Sequence, residues 1–119
     1  NRYHLILQPM TRPEALREYL YDNGFEVREE RCVHEGKFDY SVMSVSFTGK
    51  KPDYENDDRY RYFGRIELSD SASAEYARDR VKKLNAAANG MLKSVSDKAQ
   101  GERLKKTADS LAKIIKYET

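Results

Sequence analysis

The sequence has 119 residues, a length that fits one domain or a small domain with an appendage. Hydrophobic residues make up 39% and charged residues 35%, so we expect an elongated protein with much surface per residue. No run approaches the roughly 20 apolar residues of a membrane span, and no secretion signal opens the chain. One cysteine and two histidines leave no disulfide pair and no metal-ligand spacing, which indicates a cytoplasmic protein without a metal.

The net charge of +2 is unevenly distributed. Residues 1–70 hold 11 Lys and Arg against 14 Asp and Glu, whereas residues 71–119 hold 11 against 6. The second part therefore carries a charge of +5, which suits a polyanionic partner.

The first predicted element is a short buried strand over residues 3–8, an apolar run that ends at Pro9. Asn1 precedes this run without an initiator methionine, so we expect a fragment boundary or a processed chain. If the strand has lost its neighbours, its free edge and apolar face should recruit a partner. We therefore predict an edge-paired or swapped dimer.

A helix is predicted over residues 12–22. Thr11 and Glu14 have the spacing of a capping box, and apolar residues recur at helical spacing until Asn23-Gly24, a C-terminal stop signal.

Two strands follow, over residues 25–33 and 38–47, with a turn at Glu35-Gly36-Lys37. The alternation of apolar residues in the second strand changes phase between Val42 and Met43. We therefore expect a β-bulge there or burial on both faces. The order strand, helix, strand, strand predicts one crossover followed by a hairpin.

Residues 49–61 are charged and lack periodicity, so a loop is predicted, with order returning at 62–68. Tyr54, Tyr60 and Tyr62 alternate with arginines and could stack on bases. Acidic neighbours would repel a phosphate backbone, however, and we favour a mobile loop.

The clearest pattern is a 3.5-residue repeat after residue 70. Its apolar positions are Ala77, Val81, Leu84, Ala88, Met91 and Val95, and, after a break at residues 97–101, Leu104, Ala108, Leu111 and Ile115. Two helices with matching seams and a short connection predict an antiparallel hairpin. The seam is small, and we expect its open side to pack on the sheet or on another chain.

Several blocks of the sequence resemble one family. They are Leu5-Ile6-Leu7-Gln8-Pro9-Met10, Leu16-Arg17-Glu18-Tyr19-Leu20, Asn23-Gly24-Phe25-Glu26-Val27, and Glu35-Gly36-Lys37 with Tyr40. This pattern is similar to that of the bacterial tRNA (adenine(22)-N(1))-methyltransferases, which depend on S-adenosylmethionine. Tyr19 stands where tryptophan is usual in that family, Met10 where asparagine is common, and Arg65 where proline is common.

The resemblance implies an α/β fold, the C-terminal half of a doubly wound methyltransferase sheet (strand–helix–strand–strand) followed by an antiparallel helical hairpin, or coiled coil. Residues 1–48 would form part of the sheet, 49–69 a loop and connecting segment, and 70–119 the hairpin. The family's glycine-rich donor-binding turn and catalytic turn lie upstream, and this sequence has no Gly-x-Gly. We therefore expect no catalytic residue and no bound cofactor on this chain, with S-adenosylmethionine held by the missing N-terminal half.

Two sets of site residues follow from the resemblance. Gln8, Pro9 and Met10, at the carboxyl end of the first strand, are candidates for the substrate pocket; the alternative is a polar strand end with a structural proline. The tRNA-binding candidates are Arg78, Arg80, Lys82, Lys83, Lys93, Arg103, Lys105 and Lys106. Alternatively, they form a solvated helix face with local ion pairs around Glu75, Asp79 and Arg80.

The resemblance thus predicts a C-terminal fragment of a tRNA adenine-N1 methyltransferase that completes the catalytic sheet and positions tRNA with a basic hairpin. The alternative is a non-catalytic RNA- or protein-binding module that uses the hairpin as its interface. Cys32 lacks an adjacent base other than His34, two residues away in the same strand, and is assigned no catalytic role.

Overall fold

The computed structural model describes residues 4–9 and 12–119. Its elements in chain order are β1 (His4–Leu7), α1 (Pro13–Asp22), β2 (Phe25–Glu35), β3 (Phe38–Phe47), α2 (Asp58–Phe63), α3 (Ser71–Leu92) and α4 (Lys98–Glu118). The predicted order of one strand, a helix, two strands and a helical pair is confirmed. The molecule measures 49 × 30 × 26 Å and is elongated, as its composition indicated. In the described part of the chain, no helix is long and apolar enough to cross a bilayer.

The three strands form an antiparallel sheet in the order β1-β3-β2. Two outcomes were expected at Val42 and Met43, a β-bulge or burial on both faces. β3 pairs regularly through both residues, so there is no bulge, and both faces are covered, the Val42 face in part. The register instead shifts on β2, between Val27 and Glu29. β3 is the central strand, and the change of phase reflects a half-buried Val42 on one face and a fully buried Met43 on the other.

Strand β1 is not buried within the described chain, and it shows the bare apolar face expected of a buried strand that has lost its neighbours. Leu5 is 44% exposed and Ile6 is 65% exposed. The reason is the position of β1 at the edge of the sheet, where β3 is its one partner strand among the described residues. Its apolar side chains and its outer backbone groups are therefore available for pairing.

Helix α1 confirms the prediction for residues 12–22 to within one residue. The proposed capping residue Thr11 lies outside the described residues, and the N-cap position is taken by Arg12. The N–H of Asn23 donates to the carbonyls of Tyr19 and Leu20, which ends the helix. Gly24 then adopts a φ of 82°, as the stop signal predicted.

The segment predicted as a loop contains helix α2. The N–H of Tyr60 donates to Asp57 Oδ1, so that Asp57 caps this six-residue helix. Tyr60 is buried, and Tyr54 accepts a hydrogen bond from the N–H of Val27 at 2.8 Å. The predicted loop therefore holds for residues 49–57 and is wrong for 58–61. The sequence did not show α2, because a helix this short has no apolar period and is held by its cap and by tertiary contacts.

Helices α3 and α4 form the predicted antiparallel hairpin. The buried seam residues are Ala77, Val81, Ala88, Ala108, Leu111 and Ile115. Val95 is an error of the prediction, since it is 97% exposed in the connection between the helices. The break lies at residues 93–97 rather than 97–101, and Gly101 packs inside the hairpin against Ala88 and Met91.

The open side of the hairpin packs on the sheet unit, one of the two outcomes expected. Phe63, Ile66 and Leu68, which connect sheet and hairpin, share a buried cluster with the α3–α4 seam. A second cluster lies between α1 and one face of the sheet, around Leu20, Met43 and Val45. The first half of α3 therefore packs against the sheet.

Candidate nucleic-acid interface

A cleft of about 260 Å³ lies between the carboxyl end of β1, the turn that joins β2 to β3, and the first half of α3. Its walls are formed by Pro9, Pro13, Lys37, Phe38, Asp39, Tyr40, Tyr76, Asp79, Arg80 and Lys83. Three parts of the chain that are distant in sequence thus meet at one surface.

The β2–β3 turn brings an aromatic ring and a cation to the rim of this cleft. Gly36 has a φ of 61°, a conformation that glycine adopts without strain and that allows the chain to reverse tightly. Lys37 and Phe38 follow directly, and Phe38 is 66% exposed. An exposed ring beside cations can stack on an unpaired base.

The first turns of α3 form the opposite wall. Asp70 caps this helix by accepting a hydrogen bond from the N–H of Ser73. Tyr76 is buried, and its hydroxyl accepts a hydrogen bond from Arg17 Nη2 at 3.0 Å. The guanidinium of Arg80 lies 5.9 Å from the centre of the Tyr76 ring, which places a cation at the mouth of the cleft.

A buried hydrogen-bond network centred on Arg17 holds Tyr76 in place. Arg17 Nη2 also donates to Glu30 Oε2 at 2.6 Å, and Arg17 Nη1 donates to the carbonyl of Arg61. Burial alone would lower the pKa of Arg17, but the charge of Glu30 and the hydrogen bonds that Arg17 donates to Glu30 and Tyr76 raise that pKa above its usual value. The guanidinium therefore stays charged and holds the cleft wall in position.

The cations of the cleft are not fully neutralised. Lys83 forms an ion pair with Asp79 at 3.0 Å, one helical turn away. Asp39 contacts His34 at 2.7 Å. In the described part of the chain, no carboxylate lies within ion-pair distance of Lys37 or Arg80, so both can accept an anionic ligand.

His34 lies beside the cleft, on the strand that precedes the turn. Its ring is half exposed, and it faces Asp39 at 2.7 Å and Glu75 at 4.0 Å. The hydrogen bond to Asp39 and the charges of Glu75 and Asp39 raise the pKa of His34 above its ordinary value.

The cleft brings together residues from both predicted sets. Pro9, a candidate for the substrate pocket, lines the same surface as Arg80 and Lys83, two tRNA-binding candidates. Gln8 is exposed next to it, and Met10 lies outside the described residues.

The other cations predicted to contact tRNA lie elsewhere on the hairpin. Arg78, Lys82, Lys93, Arg103 and Lys106 are exposed, and none of them lines the cleft. Lys93 follows the end of α3, about 20 Å along the helix axis from Arg80. Lys105 donates to Asn85 Oδ1 at 2.7 Å, which holds the two helices together.

The local ion pairs expected as the alternative differ in their partners. Asp79 pairs with Lys83, and Glu75 faces His34 on the sheet rather than Arg80. Sequence reasoning missed Lys37, Phe38 and Tyr40 as site residues. The turn at Gly36 was a signal for them, but nothing in the sequence indicated that α3 would pack against it.

Comparison with known proteins identifies the relatives of this chain. A family model described as tRNA (adenine(22)-N(1))-methyltransferase matches residues 1–117. No curated protein gives a significant match.

Several solved structures share the fold. A Streptococcus agalactiae protein described as a member of the NADB-Rossmann superfamily is 22% identical, with a TM-score of 0.67 over 91% of this chain and 47% of its own. M. capricolum TrmK, solved with S-adenosyl-homocysteine, is 14% identical, with a TM-score of 0.69 over 98% and 50%. A B. subtilis m1A22 tRNA methyltransferase is 17% identical, with a TM-score of 0.63 over 96% and 52%.

The predicted fold class is confirmed by these likenesses. The chain spans about half the length of the solved proteins that it matches, which agrees with part of a doubly wound sheet carrying an appended hairpin. At this level of identity the likeness shows the fold alone.

Proposed function

Since the chain belongs to the tRNA (adenine(22)-N(1))-methyltransferase family, we propose that it forms the tRNA-facing part of an enzyme that methylates N1 of a tRNA adenine. The observation that carries this proposal is the cleft that joins Pro9 to the unpaired Lys37 and Arg80 and to the exposed ring of Phe38. Ligands of open α/β sheets bind beyond the carboxyl ends of the parallel strands, and Pro9 lies just beyond the end of β1.

The methyl donor of this reaction is S-adenosylmethionine, which supplies an electrophilic methyl group when it is bound. The residues of this chain do not fit a donor site of the Rossmann type. Such a site needs a glycine-rich turn between a strand and a helix, and the sequence has no Gly-x-Gly. We therefore assign donor binding to a second, N-terminal half of the enzyme, which pairs along the edge of β1 that no other described strand covers.

The role proposed for the cleft is to bind and orient the RNA. Lys37 and Arg80 contact phosphates as unpaired cations, and the ring of Phe38 stacks on a base that has left the helix. Methylation at N1 requires this kind of extrusion, because the N1 edge of a paired adenine is engaged in its base pair. Orientation of the adenine against the methyl donor is the main contribution that such a surface makes to the rate.

The exposed cations beyond the cleft provide a second contact under this proposal. Lys93 and the basic residues of α4 could follow the phosphate backbone away from the modified base. Their contribution is non-specific, because contacts to phosphates position a protein without reading sequence.

Binding of a tRNA transcript to the full chain tests the role of the cleft. The double variant Lys37→Ala/Arg80→Ala should bind about tenfold more weakly at moderate salt. The slope of log K against log salt concentration should become shallower by about two, the value expected for the loss of two phosphate contacts. Phe38→Ala should weaken binding without changing the salt slope. The control Lys50→Ala/Lys51→Ala removes the same charge at residues that do not line the cleft, and it should bind like the parent chain.

Equal losses of tRNA affinity in the cleft variant and in the lysine control would contradict the proposed interface.

A second experiment measures methyl transfer from labelled S-adenosylmethionine to tRNA, with this chain combined with the donor-binding half of the enzyme. The cleft variant should raise the KM for tRNA. Binding of RNA without any methyl transfer would favour the alternative, a non-catalytic RNA-binding module.

A further inference from the structure

We propose that His34, Asp39 and Glu75 form a binding site for a divalent transition-metal ion such as Zn²⁺. The three side chains come from β2, β3 and α3, and their ligand atoms all lie within 4.8 Å of one another. This inference is independent of the methyltransferase proposal, because it rests on these three side chains alone.

The three ligand atoms stand close to the arrangement that a tetrahedral ion requires. Bond lengths of about 2.0–2.2 Å place two ligands of such an ion roughly 3.3 Å apart. His34 Nδ1 is 2.7 Å from Asp39 Oδ1 and 4.0 Å from Glu75 Oε2, distances that lie on either side of this value. The third pair, Asp39 and Glu75, lies within 4.8 Å, so side-chain movements of up to about 1.5 Å would bring all three atoms to coordination distance.

The backbone already holds the three residues in place. His34 and Asp39 are directly opposite each other in the β2–β3 hairpin, so the register of the sheet fixes their separation. Glu75 lies between Ala74 and Tyr76, both of which are buried, and this fixes the rotation of α3 at that position. Ligands held on strands and helices are more precisely placed than ligands on loops.

The cluster has an excess of negative charge, which favours binding of a cation. Two carboxylates face one imidazole, and in the described part of the chain no Lys or Arg lies within ion-pair distance of either carboxylate. The Glu75 side chain is 55% exposed and that of His34 is 48% exposed, so an ion can enter from solvent. Three protein ligands would leave a fourth position open to water or to an oxygen of a ligand.

The mixture of imidazole and carboxylate favours Zn²⁺, Co²⁺ or Ni²⁺ over Mg²⁺ and Ca²⁺, which prefer oxygen ligands alone. The sequence did not indicate this site, because its ligands are separated by 4 and 35 intervening residues and do not form a short motif. Asp39 is also part of the cleft wall, so a bound ion would add positive charge beside Lys37 and Arg80.

Metal titration of the full chain, without a histidine tag, tests the proposal. Calorimetry with Zn²⁺ should show one equivalent bound, and Co²⁺ should give the visible absorption of a tetrahedral or five-coordinate ion. His34→Ala and Glu75→Gln should each weaken Zn²⁺ binding by at least tenfold. Mg²⁺ should not compete at equal concentration.

The other histidine provides a matched control. His4 lies on β1 next to Ser44 and outside the cluster, so His4→Ala should bind Zn²⁺ like the parent chain. Glu75 is on the exposed surface of α3, and the circular dichroism of Glu75→Gln should match that of the parent. Failure of the parent chain to bind Zn²⁺ at millimolar concentration, or unchanged binding in a folded Glu75→Gln variant, would overturn the proposal.

Discussion

Arg17 Nη2 lies 2.6 Å from Glu30 Oε2, and neither side chain has any exposed surface. The pair joins α1 to β2. Glu30 Oε1 also accepts a hydrogen bond from the N–H of Arg65, and Arg17 extends to Tyr76 on α3. One buried ion pair therefore connects the sheet unit to the hairpin that forms the other wall of the cleft.

Removal of the charge of Glu30 should destabilise the whole fold. Glu30→Gln leaves the guanidinium of Arg17 buried without a counterion, which costs about 3–5 kcal/mol of unfolding free energy. Equilibrium unfolding in urea measures the loss.

The neighbouring Glu29 is the matched control for this variant. Its ion pair with Arg31 is largely solvent-exposed, with side chains 59% and 80% accessible, so Glu29→Gln should cost less than about 1 kcal/mol. Similar losses for the two variants would mean that the buried pair has no special role in stability.

Two glycines of the hairpin should respond to alanine in opposite directions. A methyl group at Gly90 meets no atom within 4 Å, so Gly90→Ala should raise the unfolding free energy by about 0.5–1 kcal/mol through helix propensity. A methyl group at Gly101 meets Met91 Cβ at 3.0 Å and the carbonyl oxygen of Ala88 at 3.1 Å. Gly101→Ala should therefore lower the unfolding free energy by about 1–3 kcal/mol by overpacking the seam.

Thermal unfolding of the two glycine variants distinguishes these effects. A higher Tm for Gly90→Ala with a lower Tm for Gly101→Ala is the expected result. Stabilisation by both substitutions would show that the helices can separate at Gly101 without loss of packing.

Cys32 should react slowly with thiol reagents in the folded protein. Burial raises the pKa of its thiol to about 12, so at pH 8 only about one molecule in ten thousand carries the reactive thiolate. The rate of alkylation by iodoacetamide should rise with pH from 8 to 10, and unfolding in urea at pH 8 should increase it by at least a hundredfold. Equal rates in folded and unfolded protein would contradict the burial of this side chain.

The free edge of β1 should cause the chain to self-associate when it is studied alone. Leu5 and Ile6 are exposed on a strand whose outer edge is free of other strands in the described part of the chain. Sedimentation velocity should show dimers that increase with concentration. Ile6→Lys should reduce this association, because a charged side chain on an edge strand opposes pairing.

Val95 provides the control for the edge strand. It is 97% exposed in the helical connection, so Val95→Lys makes the same chemical change far from β1 and should leave association unchanged. If the parent chain stays monomeric at high concentration, the prediction of pairing through the edge of β1 is wrong.

Most of the secondary structure could be predicted from the sequence, because its signals are local. Asn23-Gly24 ends α1, and the 3.5-residue repeat identifies both helices of the hairpin. The errors of the prediction fall at residues whose structure depends on tertiary contacts and not on the local repeat. Val95 continued the repeat in the sequence but lies in the connection, and α2 is too short to show a period.

The candidate site was predicted only in part. Pro9, Arg80 and Lys83 were identified, but as members of two separate sets. The cleft that unites them depends on the packing of α3 against the β2–β3 turn, which no spacing in the sequence reveals. Phe38 begins β3 as predicted, but its exposure at the rim of the cleft depends on the tertiary structure.

The order of the elements other than α2 and the excess of positive charge in the second part follow from the amino-acid sequence, since periodicity, turn residues and charge are properties of neighbouring positions. The family followed from the resemblance of several sequence blocks. The packing of the folded chain is what brings Arg17 to Glu30 and His34 to Glu75, and it places Pro9 and Arg80 on the same cleft. These contacts join positions that are far apart in the chain. They exist because burial of apolar surface brings the sheet and the hairpin together, and charges near the contact must then find partners or face solvent.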